Sequence, residues 1–250
     1  MMRFLLLIAA FLLNFNISAS ASTDSDAIIP MPIEQINSAM SMIQKRVRDA
    51  SVRVMTSGGG HGSGSYIQYK DMYFIFTAQH VSDGVRGTKY QVLKGNESRL
   101  ATLVWSNSDA DMAVLLLEKE FVTISPMKWD PQVRIAEVGT KITYSGYPSS
   151  HQLMTFGGTV AGYEDKQGVG QQIILNTYGW FGCSGSVVYS PSGEIVGILY
   201  GVDVEYYPGM QVQENLVWVV PIQRVSMRVV LKNACSMVSK FPSRLPKACR

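Results

Sequence analysis

Charge, histidine, cysteine and long apolar runs are all scarce in this sequence. Charged residues make up 16% of its 250 positions, and the net charge is only +3. Lys and Arg are spread along the chain, so the basic patch that nucleic-acid binding needs is missing. The longest apolar run, Phe4 to Leu13, has ten residues. A bilayer-spanning helix needs about 20, so no stable membrane anchor is expected. The three histidines and three cysteines are scattered without ligand spacing, which excludes a metal set, and no cofactor is expected. No repeat recurs at solenoid spacing. What is abundant is apolar residues, at 46%, and glycine, at 22 positions. That composition fits a globular, turn-rich chain rather than a disordered one.

The N-terminus carries Arg3, the apolar run, and then Ala19-Ser20-Ala21, a small-x-small cleavage pattern. Residues 1–21 read as a secretory signal peptide, which predicts a secreted or periplasmic protein. Residues 22–48 read as a leader and an N-terminal helix. Ile33, Ile36, Met40, Ile43 and Val47 keep helical spacing from Pro32 to Arg48. A main domain is expected over 49–235 and a basic, irregular tail over 236–250. Export implies an oxidising compartment. Cys235 and Cys249 are near enough in sequence to pair, leaving Cys183 over; three free thiols is the alternative. Asn96-Glu97-Ser98 is a glycosylation sequon.

From Ala50 onward the pattern is short strands between turns. Val52 and Val54 alternate with polar or bulky neighbours, and Ser57 to Ser65 reads as a glycine loop. Strands follow at 66–69, 73–76, 90–93, 100–105, 112–117, 141–146, 155–163, 172–176, 186–189, 195–200 and 216–220. Many short, regularly spaced strands indicate a sandwich or barrel. Pro221 stops the last one. Ile222, Val225, Val229 and Val230 predict a closing helix.

Three segments can carry chemistry. His80 follows at once on the apolar strand ending at Phe76, which seats an imidazole at a strand end. His61 and His151 lie in glycine- and serine-rich stretches with no rigid seat. Asp111 leads directly into the apolar run Met112 to Leu117, with Asp109 as competitor. A carboxylate beside such a run needs a partner. Ser184 sits in Gly182-Cys183-Ser184-Gly185, before another apolar strand. The flanking glycines allow the N–H groups of Gly182 and Ser184 to point the same way, as stabilising an oxyanion requires. Nucleophile, base, orienting carboxylate and oxyanion donors are the parts of serine-type amide hydrolysis.

The ordered set Gly62-Ser63-Gly64-Ser65-Tyr66-Ile67, Thr77-Ala78-Gln79-His80-Val81, Asp111-Met112-Ala113-Val114-Leu115, Gly146-Tyr147-Pro148, Gly182-Cys183-Ser184-Gly185-Ser186, Gly193-Glu194-Ile195-Val196-Gly197-Ile198 and Val220-Pro221-Ile222 resembles the trypsin-like serine proteases. Within them it is similar to the HtrA/Deg branch, over roughly residues 45 to 231. The chain order His, Asp, Ser fits this family and not the α/β-hydrolases or subtilisins. The resemblance implies an all-β fold of two six-stranded antiparallel barrels, with the catalytic residues in the cleft between them. His80 would be general base and then general acid, Asp111 would orient it, and Ser184 would attack protein or peptide substrates. Gly182 and Ser184 would form the oxyanion hole.

Some positions depart from the family. Cys183 stands where trypsin has the Asp that pairs with a freed N-terminus, so zymogen activation of that kind is not expected. Ser186 replaces a frequent Gly. No peptide-binding PDZ domain is expected after the closing helix. The resemblance places the pocket floor near Tyr178 and one wall at Tyr200 and Gly201, with no acidic residue for an Arg or Lys substrate side chain. A small or apolar side chain is expected, unless Asp203 and Glu205 fold into the pocket. Three other readings stay open: a Cys183 nucleophile, a silent peptide-binding module on the same fold, and an esterase.

Overall fold

The computed structural model describes residues 39–131, 134–206, 208–238 and 246–250. The expected signal peptide, the leader and the first part of the expected helix lie outside them.

Helix α1 (Met42–Ala50) starts later than the apolar stripe predicts. Ser41 caps it: the Gln44 N–H donates to Ser41 Oγ and the Ser41 N–H to Gln44 Oε1, a reciprocal capping box. Met40 therefore lies before the helix rather than in it. Val47 and Ala50 are buried beneath it.

Strands β1 (Ser51–Met55), β2 (His61–Tyr69), β3 (Met72–Thr77), β4 (Lys89–Lys94), β5 (Glu97–Asn107) and β6 (Met112–Leu117) form the first barrel. Its order is β1-β4-β5-β6-β3-β2, closed by pairing of β1 with β2. A strand absent from the sequence reading, β7 (Met127–Lys128), adds to β2 in parallel. The second barrel holds β8 (Lys141–Gly146), β9 (Met154–Lys166), β10 (Gly170–Asn176), β11 (Val187–Tyr189), β12 (Ile195–Glu205) and β13 (Gln211–Pro221). It closes in the order β10-β13-β12-β11-β8-β9. The fold is thus two closed six-stranded antiparallel barrels with an N-terminal and a C-terminal helix, as the resemblance implies.

The unbroken apolar run of β6 has a physical reason. Successive strand residues point to opposite faces. Ala113, Leu115 and Leu117 fill the first barrel, while Met112, Val114 and Leu116 join a second core that includes Val187, Tyr189 and Ile198 of the other barrel. A third core, around Tyr144, Leu175 and Val219, fills the second barrel. The shared middle core is what fixes the two barrels against each other.

The stretch read as a glycine loop is half strand, with β2 beginning at His61. A Cβ on Gly62 would press on Val81, and a Cβ on Gly64 would press on Ile75 and the Phe76 carbonyl. These glycines permit close approach rather than looseness. Ser63 and Ser65, on the alternate face, are buried and reach across to the second barrel.

After β13 the chain makes one 3-10 turn (Ile222–Arg224), then α2 (Met227–Val238). Met227, Val230 and Ala234 bury its inner face. Cys235 and Cys249 are disulfide-bonded, with Cα atoms 5.3 Å apart, and Cys183 is free. The end of the tail is ordered: Lys247–Cys249 forms a 3-10 turn whose Lys247 and Ala248 N–H groups donate to the Asp71 carboxylate.

Candidate active site

His80 rides on a single 3-10 turn (Gln79–Val81) directly after β3. Ala78 and Val81, both buried, pin the turn into the first barrel's core. Asp111 closes the turn before β6 with φ +47, a left-handed conformation that Asp tolerates better than most residues. Its carboxylate takes two hydrogen bonds from His80: the main-chain N–H donates to Oδ1 at 2.9 Å, and Nδ1 lies 2.7 Å from Oδ2. That contact leaves Nε2 as the imidazole nitrogen free to work. His80 is 48% exposed and Asp111 22%. Asp109, the competitor, is exposed in the preceding turn.

Ser184 comes from the second barrel and is brought to the His80 turn by backbone contact. The Ser63 N–H donates to the Ser184 carbonyl at 2.8 Å. A Cβ on Gly62 would sit 2.9 Å from that carbonyl and also meet Val81, the neighbour of His80. Gly185, at φ +89, presses on Thr77 and the Ala78 N–H, so no larger residue fits there. The Ser184 hydroxyl donates to the Tyr200 carbonyl at 3.4 Å, and among the described residues no hydrogen bond joins it to His80.

The turn before Ser184 has a simple pattern. The Cys183, Gly185 and Ser186 N–H groups donate to the carbonyls of Trp180, Leu199 and Cys183. Those of Gly182 and Ser184 have no acceptor among the described residues.

Cys183 is fully buried, and burial pushes its thiol up, away from the thiolate form. Tyr144 lies beside it, its hydroxyl donating to the Tyr178 carbonyl. A protonated, buried thiol is a poor nucleophile, which disfavours the cysteine reading.

Of the expected pocket residues, Tyr178 precedes the nucleophile turn, and Tyr200 and Gly201 lie in β12. Tyr178 stacks on Phe156 at 5.2 Å, and Phe156 on Tyr144 at 5.1 Å. Its neighbour Gly179 packs on Val202 and Val217, and a Cβ on Gly201 would meet open space. Tyr200 turns its carbonyl to Ser184 while its hydroxyl is buried without a partner among the described residues. Burial, with the Asp111 charge adding, pushes that phenol up to about 12. Lys166 Nζ lies over its ring at 5.4 Å.

Two residues were missed. His61, read as unseated, lies in β2 with Nε2 3.0 Å from the Tyr147 carbonyl and close to Gly182. Ser63 donates its hydroxyl to the Gly182 carbonyl at 2.7 Å. The available signal was the Gly-Ser-Gly-Ser alternation, a period of two that marks a strand. Among the described residues, no cluster of His, Cys, Asp and Glu could hold a metal ion.

Comparison with solved structures finds the same fold. The Rv3671c protease of M. tuberculosis matches in its inactive form, with TM-score 0.57 and 15% identity over 84% of this chain and 96% of that one. Its active form matches with the same TM-score, 0.57, and 15% identity over 86% and 89%. A serine endoprotease from Yersinia pestis matches with TM-score 0.59 and 19% identity over 81% and 68%. No curated protein matches in sequence. The family model described as trypsin-like peptidase domain matches residues 62–198, more than half of the chain. By that match the chain belongs to the trypsin-like peptidase domain family.

Proposed function

We propose that the protein is an exported endopeptidase that cleaves through His80, Asp111 and Ser184. The observation that carries the reading is the 2.7 Å contact between His80 Nδ1 and Asp111 Oδ2, beside the turn that bears Ser184. For attack the Ser184 hydroxyl has to leave the Tyr200 carbonyl for His80 Nε2; the movement proposed is rotation about its Cα–Cβ bond, between staggered wells close in energy. Ser184 Oγ then attacks the substrate carbonyl carbon as Nε2 takes its proton. The oxyanion accepts from the Gly182 and Ser184 N–H groups, which have no other acceptor among the described residues. The C–N bond breaks as His80 returns the proton to the leaving amine. Water, activated by the same nitrogen, hydrolyses the acyl-serine and frees the enzyme. Asp111 holds the proton on Nδ1 throughout.

The side chain before the cut is expected to be small or apolar. Tyr178, Phe156 and Val202 supply aromatic and aliphatic surface there, and no carboxylate sits at position 178. Export is supported by the signal-like residues 1–21 and by the Cys235–Cys249 bridge, which belongs to an oxidising compartment. N-terminal sequencing of the secreted chain should begin near Ser22.

The test is hydrolysis of casein and labelling by a fluorophosphonate, wild type beside Ser184→Ala. Both should vanish in the variant. A folded wild type that neither cleaves nor labels would instead be a silent peptide-binding module. Cleavage that survives Ser184→Ala but not Cys183→Ala would make the nucleophile the thiol.

A further inference from the structure

We propose that Ser63, on the first barrel, is the positioning residue that holds the oxyanion loop of the second; the inference rests on the function proposed above. Ser63 is fully buried, and each of its polar atoms is engaged. Its carbonyl accepts from Thr77 Oγ1 at 2.7 Å, and its N–H donates to the Ser184 carbonyl at 2.8 Å. Its hydroxyl accepts from the Tyr147 N–H at 2.9 Å and donates to the Gly182 carbonyl at 2.7 Å. A hydroxyl has one proton to give. With the Tyr147 N–H occupying a lone pair, that proton is aimed at Gly182.

The consequence lies in how peptide planes are held. A peptide is planar and trans, so fixing its C=O fixes the N–H on the opposite side. Four consecutive carbonyls of the loop are fixed: Phe181 by the Ser149 N–H at 2.6 Å, Gly182 by the Ser63 hydroxyl, Cys183 by the Ser186 N–H at 3.0 Å and Ser184 by the Ser63 N–H. Ser63 supplies two of the four bonds, one of them from its side chain. Of the N–H groups on these four peptides, those of Gly182 and Ser184, the pair assigned to the oxyanion, have no acceptor among the described residues; the Ser149 and Ser186 N–H groups hold the peptides that carry them, and Ser63 holds the peptide that follows each. Gly182 sits at φ +89, and glycine crosses to other conformations at little cost. Local backbone preference therefore does not fix Gly182; the Ser149 N–H holds the peptide before it and the Ser63 hydroxyl the peptide after it, and the two together set its φ and ψ. Gly62 lacks the Cβ that would stand 2.9 Å from the Ser184 carbonyl, and so lets β2 come close enough to make the bond.

The test compares Ser63→Ala with Ser65→Ala. Ser65 is a control on the same strand and face: its buried hydroxyl pairs with the Tyr189 hydroxyl at 2.7 Å, away from the loop. In Ser63→Ala, kcat for a peptide amide should fall about tenfold to a hundredfold, with KM within about threefold. Affinity for a peptide boronate, which mimics the tetrahedral state, should fall by about the same factor as kcat/KM. Ser65→Ala should lose thermal stability and keep kcat. Hydrogen exchange over residues 178–186 should quicken only in Ser63→Ala. Ser63→Cys, which keeps a weaker donor, should fall between wild type and Ser63→Ala, and replaces the latter should it fail to fold.

A folded Ser63→Ala that keeps kcat and boronate affinity within about twofold overturns the inference while leaving the proposed function intact. Equal losses in the Ser63 and Ser65 variants, tracking their stability, overturn it too. A wild type no more active than Ser184→Ala overturns the functional reading itself, and the catalytic role of Ser63 with it.

Discussion

Replacing Asp111 with Asn isolates the contribution of one negative charge. Asn keeps an oxygen for the His80 main-chain N–H, a bond of 2.9 Å in the native protein. It also tolerates φ +47, so the turn should survive and the variant should melt within a few degrees of wild type. What changes is the 2.7 Å contact with His80 Nδ1. An amide NH2 there obliges Nδ1 to accept, which moves the ring proton to Nε2, where it blocks proton transfer from Ser184. The imidazolium formed during attack also loses its counter-charge. At 2.7 Å and an effective dielectric of about 20, Coulomb's law makes that attraction about 6 kcal/mol. His80 is 48% exposed, so solvent screening leaves roughly 4 kcal/mol. That alone is about a thousandfold in rate, and the wrong tautomer extends the loss toward ten-thousandfold. The assay is kcat on a chromogenic peptide amide, with Asp109→Asn in the exposed turn as control. A folded Asp111→Asn that loses less than tenfold, or that loses no more than Asp109→Asn, would refute the pairing as the source of the rate.

Other expectations follow from single contacts. Cys183→Ala should keep the activity, and the native thiol should resist iodoacetamide, because it is fully buried and held protonated. Removing the Cys235–Cys249 bridge, which spans 14 residues, should cost about 3 kcal/mol. For a domain of this size that lowers Tm by about 6 to 12 °C in a melting scan, and an unchanged Tm would contradict it. The Thr123 hydroxyl above all, then the Val122 and Thr123 N–H groups and Arg99, hold Glu97 down at about 2, against a smaller effect of burial. Its folded value lies below the unfolded one of about 4.3, so its stabilisation is present above that pH and lost as pH falls toward 2. Urea midpoints at pH 5 and pH 2.5 should therefore differ less in Glu97→Gln than in wild type. The Ser186 hydroxyl is buried without a partner among the described residues. Ser186→Ala should be neutral or stabilising by up to about 1 kcal/mol in urea unfolding, and a clear destabilisation would mean that the hydroxyl has a partner.

Chain-local chemistry was legible from residues alone. Met112–Leu117 and Lys141–Gly146 are strands at the expected bounds, because an apolar run flanked by turn residues has few other solutions. His80, Asp111 and Ser184 could be singled out because each stands beside a strand, where a rigid seat is foreseeable. The twofold barrel architecture came from the resemblance and not from periodicity.

Tertiary structure decided whatever depends on two distant segments meeting. Periodicity reports that a residue is buried, but not what it is buried against. Ser57 to Ser65 reads as loose because glycine has high freedom when alone. Packed against Val81, Ile75 and the Ser184 carbonyl, Gly62 and Gly64 instead sit in β2, whose Ser63 N–H meets that carbonyl. His61 and Ser63 acquire roles only because the Tyr147 and Gly182 backbones arrive from the other barrel, 86 and 119 residues away in sequence. Cys235 and Cys249 leave their pairing open as sequence neighbours; α2 and the Asp71 carboxylate bring them together. Side-chain type is written in the chain, whereas hydrogen-bond partners across barrels are set only by the packed core that holds those barrels in register.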